Sequence, residues 1–192
     1  MDFYTAYETP IIGKLILASD GESLVGCWFE NDRFFGYGSD GTFERCNDLA
    51  VFEKTRNWLD RYFAGEKPSL QELPLAPRGS EFQLKVWNML REIPYGQTVT
   101  YGDIAKRMAN ESGRKMSAQA VGGAVGRNPL CVIVPCHRVM GAKAKLTGFG
   151  GGLDTKIKLL EHEGINTCEL VRPKKGTAIE GICGAANRVL GQ

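Results

Sequence analysis

Cysteine and histidine stand side by side in Val134-Pro135-Cys136-His137-Arg138-Val139, between an apolar run and a Gly-rich segment, and His137 is one of two histidines in the chain. A cysteine attacks as its thiolate, so it needs a neighbouring base, a cation or a helix N-terminus to bring its pKa down from the free value of roughly 8.5. Pro135 supplies a rigid turn and His137 a candidate base. Taken alone, such a pair is as readily explained by a small buried thiol at the end of a strand. The surrounding sequence has to decide.

The elements that must position this pair can be placed from pattern. Apolar and β-branched residues over 11–18 and 23–29, flanking Asp20-Gly21, predict two strands joined by a hairpin turn. The Gly-containing stretch 36–41 is expected to be loop. Val51, Thr55, Trp58, Leu59, Tyr62 and Phe63 recur at helical spacing and predict an amphipathic helix ending near Gly65. This half reads as a small α/β domain over 1–67. Prolines at 68, 74 and 77 interrupt any regular element and mark 68–79 as a linker. Ser80 is placed to cap a helix with Phe82, Val86, Trp87 and Leu90 on one side, and Pro94-Tyr95-Gly96 would end the connection after it.

Residues 101–108 and 117–126 predict two short helices around a polar turn, the second rich in Ala and Gly. Small residues of that kind let a recognition helix lie close to its support and to DNA, the arrangement of a helix-turn-helix. An apolar β-like run over 131–134 would deliver Cys136 at its exit, and 153–163 predicts a last helix with Ile157 and Leu160 inward. The second domain is therefore expected over 80–167, mainly α with a short sheet element. Residues 168–192 are weakly periodic and form a tail to which no role is assigned.

At 192 residues and 43% hydrophobic content the chain can build a real core, as one large domain or two small ones. The opening residues lack a basic region followed by an apolar stretch, and no apolar run approaches the roughly 20 residues of a membrane span. A protein of the cytoplasm, or of the nucleus in a eukaryote, is expected, with no membrane association. Six cysteines, at 27, 46, 131, 136, 168 and 183, include no Cys-x-x-Cys pair, so neither a disulfide framework nor a zinc site has its usual spacing. No catalytic metal is expected. The net charge of +2 conceals an asymmetry: residues 1–84 carry 8 basic and 14 acidic side chains, whereas 85–150 carry 10 basic and 3 acidic. A polyanion meets local charge within a screening length of about 8 Å, so the basic segment around the thiol favours nucleic acid as substrate.

Several linked motifs carry a more specific signal. Phe82-Gln83-Leu84-Lys85-Val86-Trp87, Ile93-Pro94-Tyr95-Gly96-Gln97-Thr98-Val99-Thr100-Tyr101 and Ala118-Gln119-Ala120-Val121-Gly122-Gly123-Ala124 are followed by Asn128-Pro129 and the Pro-Cys-His-Arg-Val segment. Leu146-Thr147-Gly148-Phe149-Gly150-Gly151-Gly152-Leu153 and Leu159-Leu160-Glu161-His162-Glu163 complete the series. In order and spacing this resembles the O6-alkylguanine-DNA alkyltransferases, closely over 80–164 and loosely over 1–79.

The resemblance implies an RNase H-like fold for the N-terminal α/β domain, and single-use transfer of a methyl or small alkyl group from O6-alkylguanine, or O4-alkylthymine, to Cys136. It makes His137 the base and Glu163 the carboxylate that orients it. Asn128 would brace the turn before the active-site loop, and Tyr101 would offer its phenolic proton to guanine N3. DNA contacts fall by the same resemblance on Ala118, Gln119, Ala120 and Gly122 of the recognition helix, on Arg127 and on Thr100. Pro135, Val139, Phe149 and Gly150 line the base pocket, with the Val139 carbonyl accepting from the guanine amino group; Lys156 is a lesser candidate.

The implied partner is double-stranded DNA carrying O6-alkylguanine, met by a monomer without a cofactor, and the nucleotide would have to be rotated out of the duplex to reach the thiol. Two positions depart from the family: Gln119 stands where an arginine fills the vacated stack, and Phe149 where many relatives have tyrosine. Glutamine lacks the cation and its stacking plane. Two other readings stay open: a protein that marks alkyl lesions without reacting, which Gln119 keeps open and Cys136 argues against, and a thiol hydrolase built on Cys136, His137 and Glu163, for which the sequence offers no recognisable oxyanion element.

Overall fold

The computed structural model describes residues 1–39, 41–168 and 170–171, arranged as two compact units. The tail expected over 168–192 lies outside the described residues from 172 onward, together with Cys183.

The first unit takes in Met1–Gly79 and Pro129–Ile133. Its sheet has the order β3-β2-β1-β4, with β1 (Asp2–Thr9), β2 (Gly13–Ser19) and β3 (Leu24–Phe29) antiparallel and the short β4 (Phe43–Arg45) parallel to β1. The sequence-predicted hairpin is β2 and β3; β1 and β4 carried no prediction. All six residues of β3 are buried, which a continuous apolar run permits and an alternating strand does not. Tyr4, Ile16, Ala18, Val25, Trp28 and Phe35 form one core cluster. The Trp28 ring lies over Gly26, where an added Cβ would fall 2.0 Å from ring carbon Cη2, so position 26 must be glycine. Helix α1 (Ala50–Phe63) packs on β1 and β2, burying Val51, Phe52, Thr55, Trp58, Leu59 and Tyr62.

The outer edge of β3 is not left open. Leu24 N–H donates to Pro74 O at 2.7 Å and Ala76 N–H to Leu24 O at 2.9 Å, while Cys27 N–H donates to Pro129 O at 2.7 Å and Cys27 O accepts from Cys131 N–H at 2.8 Å. Two irregular segments thus occupy an edge that would otherwise invite pairing with another chain. The segment expected to be a linker, 68–79, is in this way bound along the sheet. It is further held by Arg78, which forms a bidentate ion pair with the buried Asp2 at 2.9 Å for both bonds. Its prolines bar it from a regular strand without barring it from these two backbone bonds.

The second unit is made of Ser80–Asn128 and, among the described residues, 134–168 and 170–171. Helix α2 (Glu81–Arg91) starts in a capping box: Ser80 Oγ accepts from Gln83 N–H, and Gln83 Oε1 accepts from Ser80 N–H at 2.8 Å. Its buried face is Gln83, Val86, Trp87, Met89 and Leu90, so Phe82 is half-buried at the margin, not inward as expected. The Trp87 indole N–H donates to Ala124 O at 2.9 Å and ties α2 to α4 (Ala118–Gly126). Before α4, α3 (Tyr101–Ser112) has its own capping box, Thr100 with Asp103, and ends at Gly113, whose φ of 68° lets the chain turn left-handed. A two-stranded parallel ladder, β5 (Val99–Thr100) with β6 (Val139–Met140), is followed by α5 (Leu153–His162), which buries Ile157 and Leu160 as expected.

The predicted β-like run at 131–134 is not a strand. Ile133 N–H donates back to Cys131 O at 2.8 Å around Val132, whose φ is 70°, and Cys136 N–H donates to Val134 O at 2.8 Å around Pro135, at φ −79° and ψ 67°. These are two successive γ-turns of opposite hand. Five apolar residues between prolines satisfy burial equally well as turns, and periodicity cannot separate the two. A β-branched residue at positive φ costs about 1–3 kcal/mol, which the bonds flanking Val132 must hold in place.

Candidate active site

Cys136 leaves the second γ-turn and opens a single 3-10 turn, Cys136–Arg138, which α5 packs against. Its side chain is buried and its thiol reduced. His137 is fully buried, and its Nε2 lies 2.7 Å from Glu163 Oε1. An ionised carboxylate only accepts, so Nε2 carries the proton and Nδ1 keeps its lone pair. That Nδ1 is buried with no hydrogen-bond partner among the described residues.

Glu163 is set at the C-terminal end of α5 as its cap residue, and four donors converge on its carboxylate. Besides His137 these are Arg138 Nε at 2.8 Å, Arg138 Nη2 at 2.9 Å and the Gly96 N–H at 3.1 Å. Burial by itself would raise the ionisation of Glu163, but the hydrogen bonds and charges of His137 and Arg138 more than offset it and hold the group well below the usual carboxylate range. Gly96 sits at φ 73°, and a Cβ there would come within 3.0 Å of Glu163 O, so glycine is required for this approach. Burial pushes His137 downward, the charges of Arg138 and Lys156 add to that, and Glu163 opposes it; the result is a neutral imidazole able to take a proton.

Arg138 carried no predicted role and proves central: its Nη1 donates to Ile93 O at 2.6 Å, and its guanidinium stands 5.7 Å from the centre of the Tyr95 ring. The signal for it was its place in the Cys-His-Arg run, which does not say where the side chain points. Lys156, a lesser candidate from sequence, is fully buried and donates from Nζ to Val139 O at 2.5 Å. Burial pushes its ammonium down to about 8, against the attraction of Cys136. The Val139 carbonyl, expected to receive a guanine amino group, is thus already bonded to Lys156.

Tyr101 is the first residue of α3, with its ring in contact range of Gly122 on α4. Its hydroxyl meets Thr147 Oγ1 at 2.9 Å. Burial and the neighbouring Cys136 raise its ionisation, and the bond to Thr147 opposes them. Asn128 is buried and donates from Nδ2 to Val134 O at 2.8 Å, bridging the residues between which 129–133 loop out. Pro135, Val139 and Phe149 are buried, and Gly150 is half-buried.

Ala118, Gln119 and Ala120 are exposed on the first turn of α4, after Arg114 and Lys115 and the cap Ser117, whose side chain accepts from Ala120 N–H. Gly122 is half-buried. Arg127 donates to Gly123 O at 3.1 Å, and the Thr100 hydroxyl bonds Asp103 Oδ2 at 2.7 Å within its capping box. Among the described residues no three His, Cys, Asp or Glu side chains come together to hold a metal ion, and no helix is long and apolar enough to cross a membrane.

Comparison with known proteins agrees in both halves of the chain. Residues 81–165 match the DNA-binding domain of 6-O-methylguanine DNA methyltransferase, and residues 3–77 match the ribonuclease-like domain of the same protein. Methylated-DNA–protein-cysteine methyltransferases from Haemophilus influenzae and Methanosarcina mazei are 44% and 50% identical, over 85% and 84% of this chain and 87% and 96% of theirs. The crystal structure of Mycobacterium tuberculosis OGT in complex with DNA is similar with a TM-score of 0.72 at 40% identity, over 84% of this chain and 93% of that one. The buried thiol, histidine and carboxylate therefore belong to a chain of the 6-O-methylguanine DNA methyltransferase family, with its ribonuclease-like and DNA-binding domains.

Proposed function

We propose that this protein repairs DNA by moving a methyl or small alkyl group from O6-alkylguanine, or O4-alkylthymine, to the sulfur of Cys136. The observation that carries the proposal is the Nε2-protonated His137, fixed by Glu163, with its bare Nδ1 one residue from the thiol. The thiol proton passes to Nδ1 through a bridging water, and the imidazolium so formed is balanced by the carboxylate. Lys156 adds a positive charge that the thiolate attracts. The sulfur lone pair then forms the S–C bond as the C–O6 bond breaks. Its electron pair goes to the purine, which Tyr101 protonates at N3. A thioether has no easy route back at neutral pH, so each molecule reacts once.

We read α3 and α4 as a helix-turn-helix and the first unit as RNase H-like. Ala118, Gln119, Ala120 and Gly122 would then face DNA, with Arg127 and Thr100 beside them. A duplex must release the nucleotide at a cost of a few kcal/mol before the alkyl carbon can meet sulfur. Pro135, Val139, Phe149 and Gly150 form the pocket that receives the base, and Asn128 braces the approach to it. All these groups lie on one chain, which fits action as a monomer, in the cytoplasm or in a eukaryotic nucleus. Exposed Gln119 favours a second reading, lesion binding without transfer, because a glutamine fills a vacated base stack less well than an arginine.

Intact-mass analysis after incubation with O6-methylguanine duplex separates the two. The expected result is one added methylene on the peptide holding Cys136, absent in Cys136→Ala. Tight lesion binding with no mass gain in the folded parent would select the second reading.

A further inference from the structure

We propose that Thr147 is the positioning residue that keeps the phenolic proton of Tyr101 directed at the leaving purine; this rests on the reading of Tyr101 as the proton donor. A phenol has one proton and two acceptor positions, so a neighbour that takes that proton withholds it from the substrate, and one that donates to the oxygen frees it. The Tyr101 hydroxyl has such a neighbour in Thr147 Oγ1 at 2.9 Å, and geometry alone allows either atom to donate.

The surroundings fix the threonine. Gly141 N–H donates to Lys145 O at 2.8 Å and closes a small loop, and the Thr147 methyl fills the place a side chain at Gly141 would take, Cγ2 lying 2.9 Å from an ideal Cβ. With its methyl seated over Gly141, the threonine turns its hydroxyl to Tyr101. The ring of Tyr101 starts α3 and faces Gly122 of α4, where an added Cβ would be 3.7 Å from Cδ1. Two side chains 46 residues apart in sequence thus meet through their hydroxyls. The bond also makes the buried phenol a better acid, opposing burial and the Cys136 charge.

During transfer the S–C bond forms from the sulfur lone pair and the C–O6 bond breaks toward the purine. Tyr101 gives its proton to N3, and Thr147, donating throughout, stabilises the phenolate left behind. The proton that His137 took from the thiol and the one Tyr101 has given then equalise through solvent. The net change is thiol plus alkylguanine to thioether plus guanine.

The test is single-turnover transfer to the full chain from duplex containing O6-methylguanine, and from duplex containing its 8-aza analogue, whose anion leaves more readily. Thr147→Val keeps the shape and should slow transfer about fivefold on the normal purine, the rate equivalent of one neutral hydrogen bond. The loss should shrink on the 8-aza base. Thr147→Ser should stay within about twofold of the parent, and adding Thr147→Val to Tyr101→Phe should cost nothing more. If Tyr101→Phe slows transfer but Thr147→Val does not, or if Thr147→Val slows both purines equally, the inference on Thr147 is overturned while the donor reading stands. An unchanged rate in Tyr101→Phe would remove the donor reading itself.

Discussion

Replacing Lys156 by methionine isolates what burying an ammonium beside the thiol does to the fold. The side chain is fully buried, and its ionisation falls from 10.5 to about 8, chiefly through burial. At about 1.4 kcal/mol per pH unit, the charged form is worse off in the fold than in the unfolded chain by about 3 kcal/mol. The sign follows from proton binding. Between 8 and 10.5 the unfolded chain holds the proton and the folded one does not, so stability rises with pH through that window. The contribution is complete above 10.5 and absent below 8.

Methionine has no such dependence and nearly the same length. Its loss of the bond to Val139 O enters as a constant, because a neutral amine still donates. Urea unfolding of both proteins at a series of pH values should therefore show the parent gaining about 3 kcal/mol on the variant from just below pH 8 to pH 10.5. In a Cys136→Ala background the onset should move lower, since the attraction that opposes burial is gone. A difference that stays flat over the window would refute the reasoning, because it would mean that Lys156 titrates alike in both states.

Glu163→Gln leaves the Arg138 guanidinium without its carboxylate, which should cost about 3–5 kcal/mol in urea unfolding and abolish most transfer. Glu163 is held below its ordinary range, so its stabilisation is complete above the unfolded value of about 4.3 and is lost as the pH falls below it; the gap between parent and glutamine variant should close there. Gln119→Arg should speed transfer from duplex while leaving single-stranded substrate unchanged, and equal acceleration on both would show that base extrusion is not what glutamine limits. Ser80→Ala removes the acceptor of Gln83 N–H at the start of α2 and should lower stability by about 1 kcal/mol with no change in transfer rate, as seen in thermal unfolding and a stopped-time assay.

Helix positions were the most legible part of the fold. The apolar spacing from Val51 to Phe63, the Ser80 cap and the Leu153–His162 helix all follow from local pattern, because each helix satisfies its own backbone and needs its surroundings only for one face. The strand β1 was missed, since Asp2–Thr9 mixes buried and exposed residues without strict alternation, and the three-residue β4 is too short to leave a pattern. The run before Cys136 misled for a different reason: Val132 at positive φ is a conformation that no local preference favours, and only its bonded surroundings impose it.

The chemistry divides in the same way. Residue types and their adjacency made Cys136 and His137 the candidate nucleophile and base and marked the basic segment that suits a polyanion, and the resemblance to the alkyltransferases added Glu163 as the candidate carboxylate. Those are properties a linear order can encode, because identity and spacing survive without a fold. Only the tertiary structure decided that Arg138 shares Glu163 with His137, that Lys156 reaches Val139 O, and that Thr147 faces Tyr101. Each of these joins side chains distant in sequence or fixes the direction in which one points. Direction is set by packing, by caps and by glycines such as Gly96 and Gly141 that let two backbones or a methyl group come close.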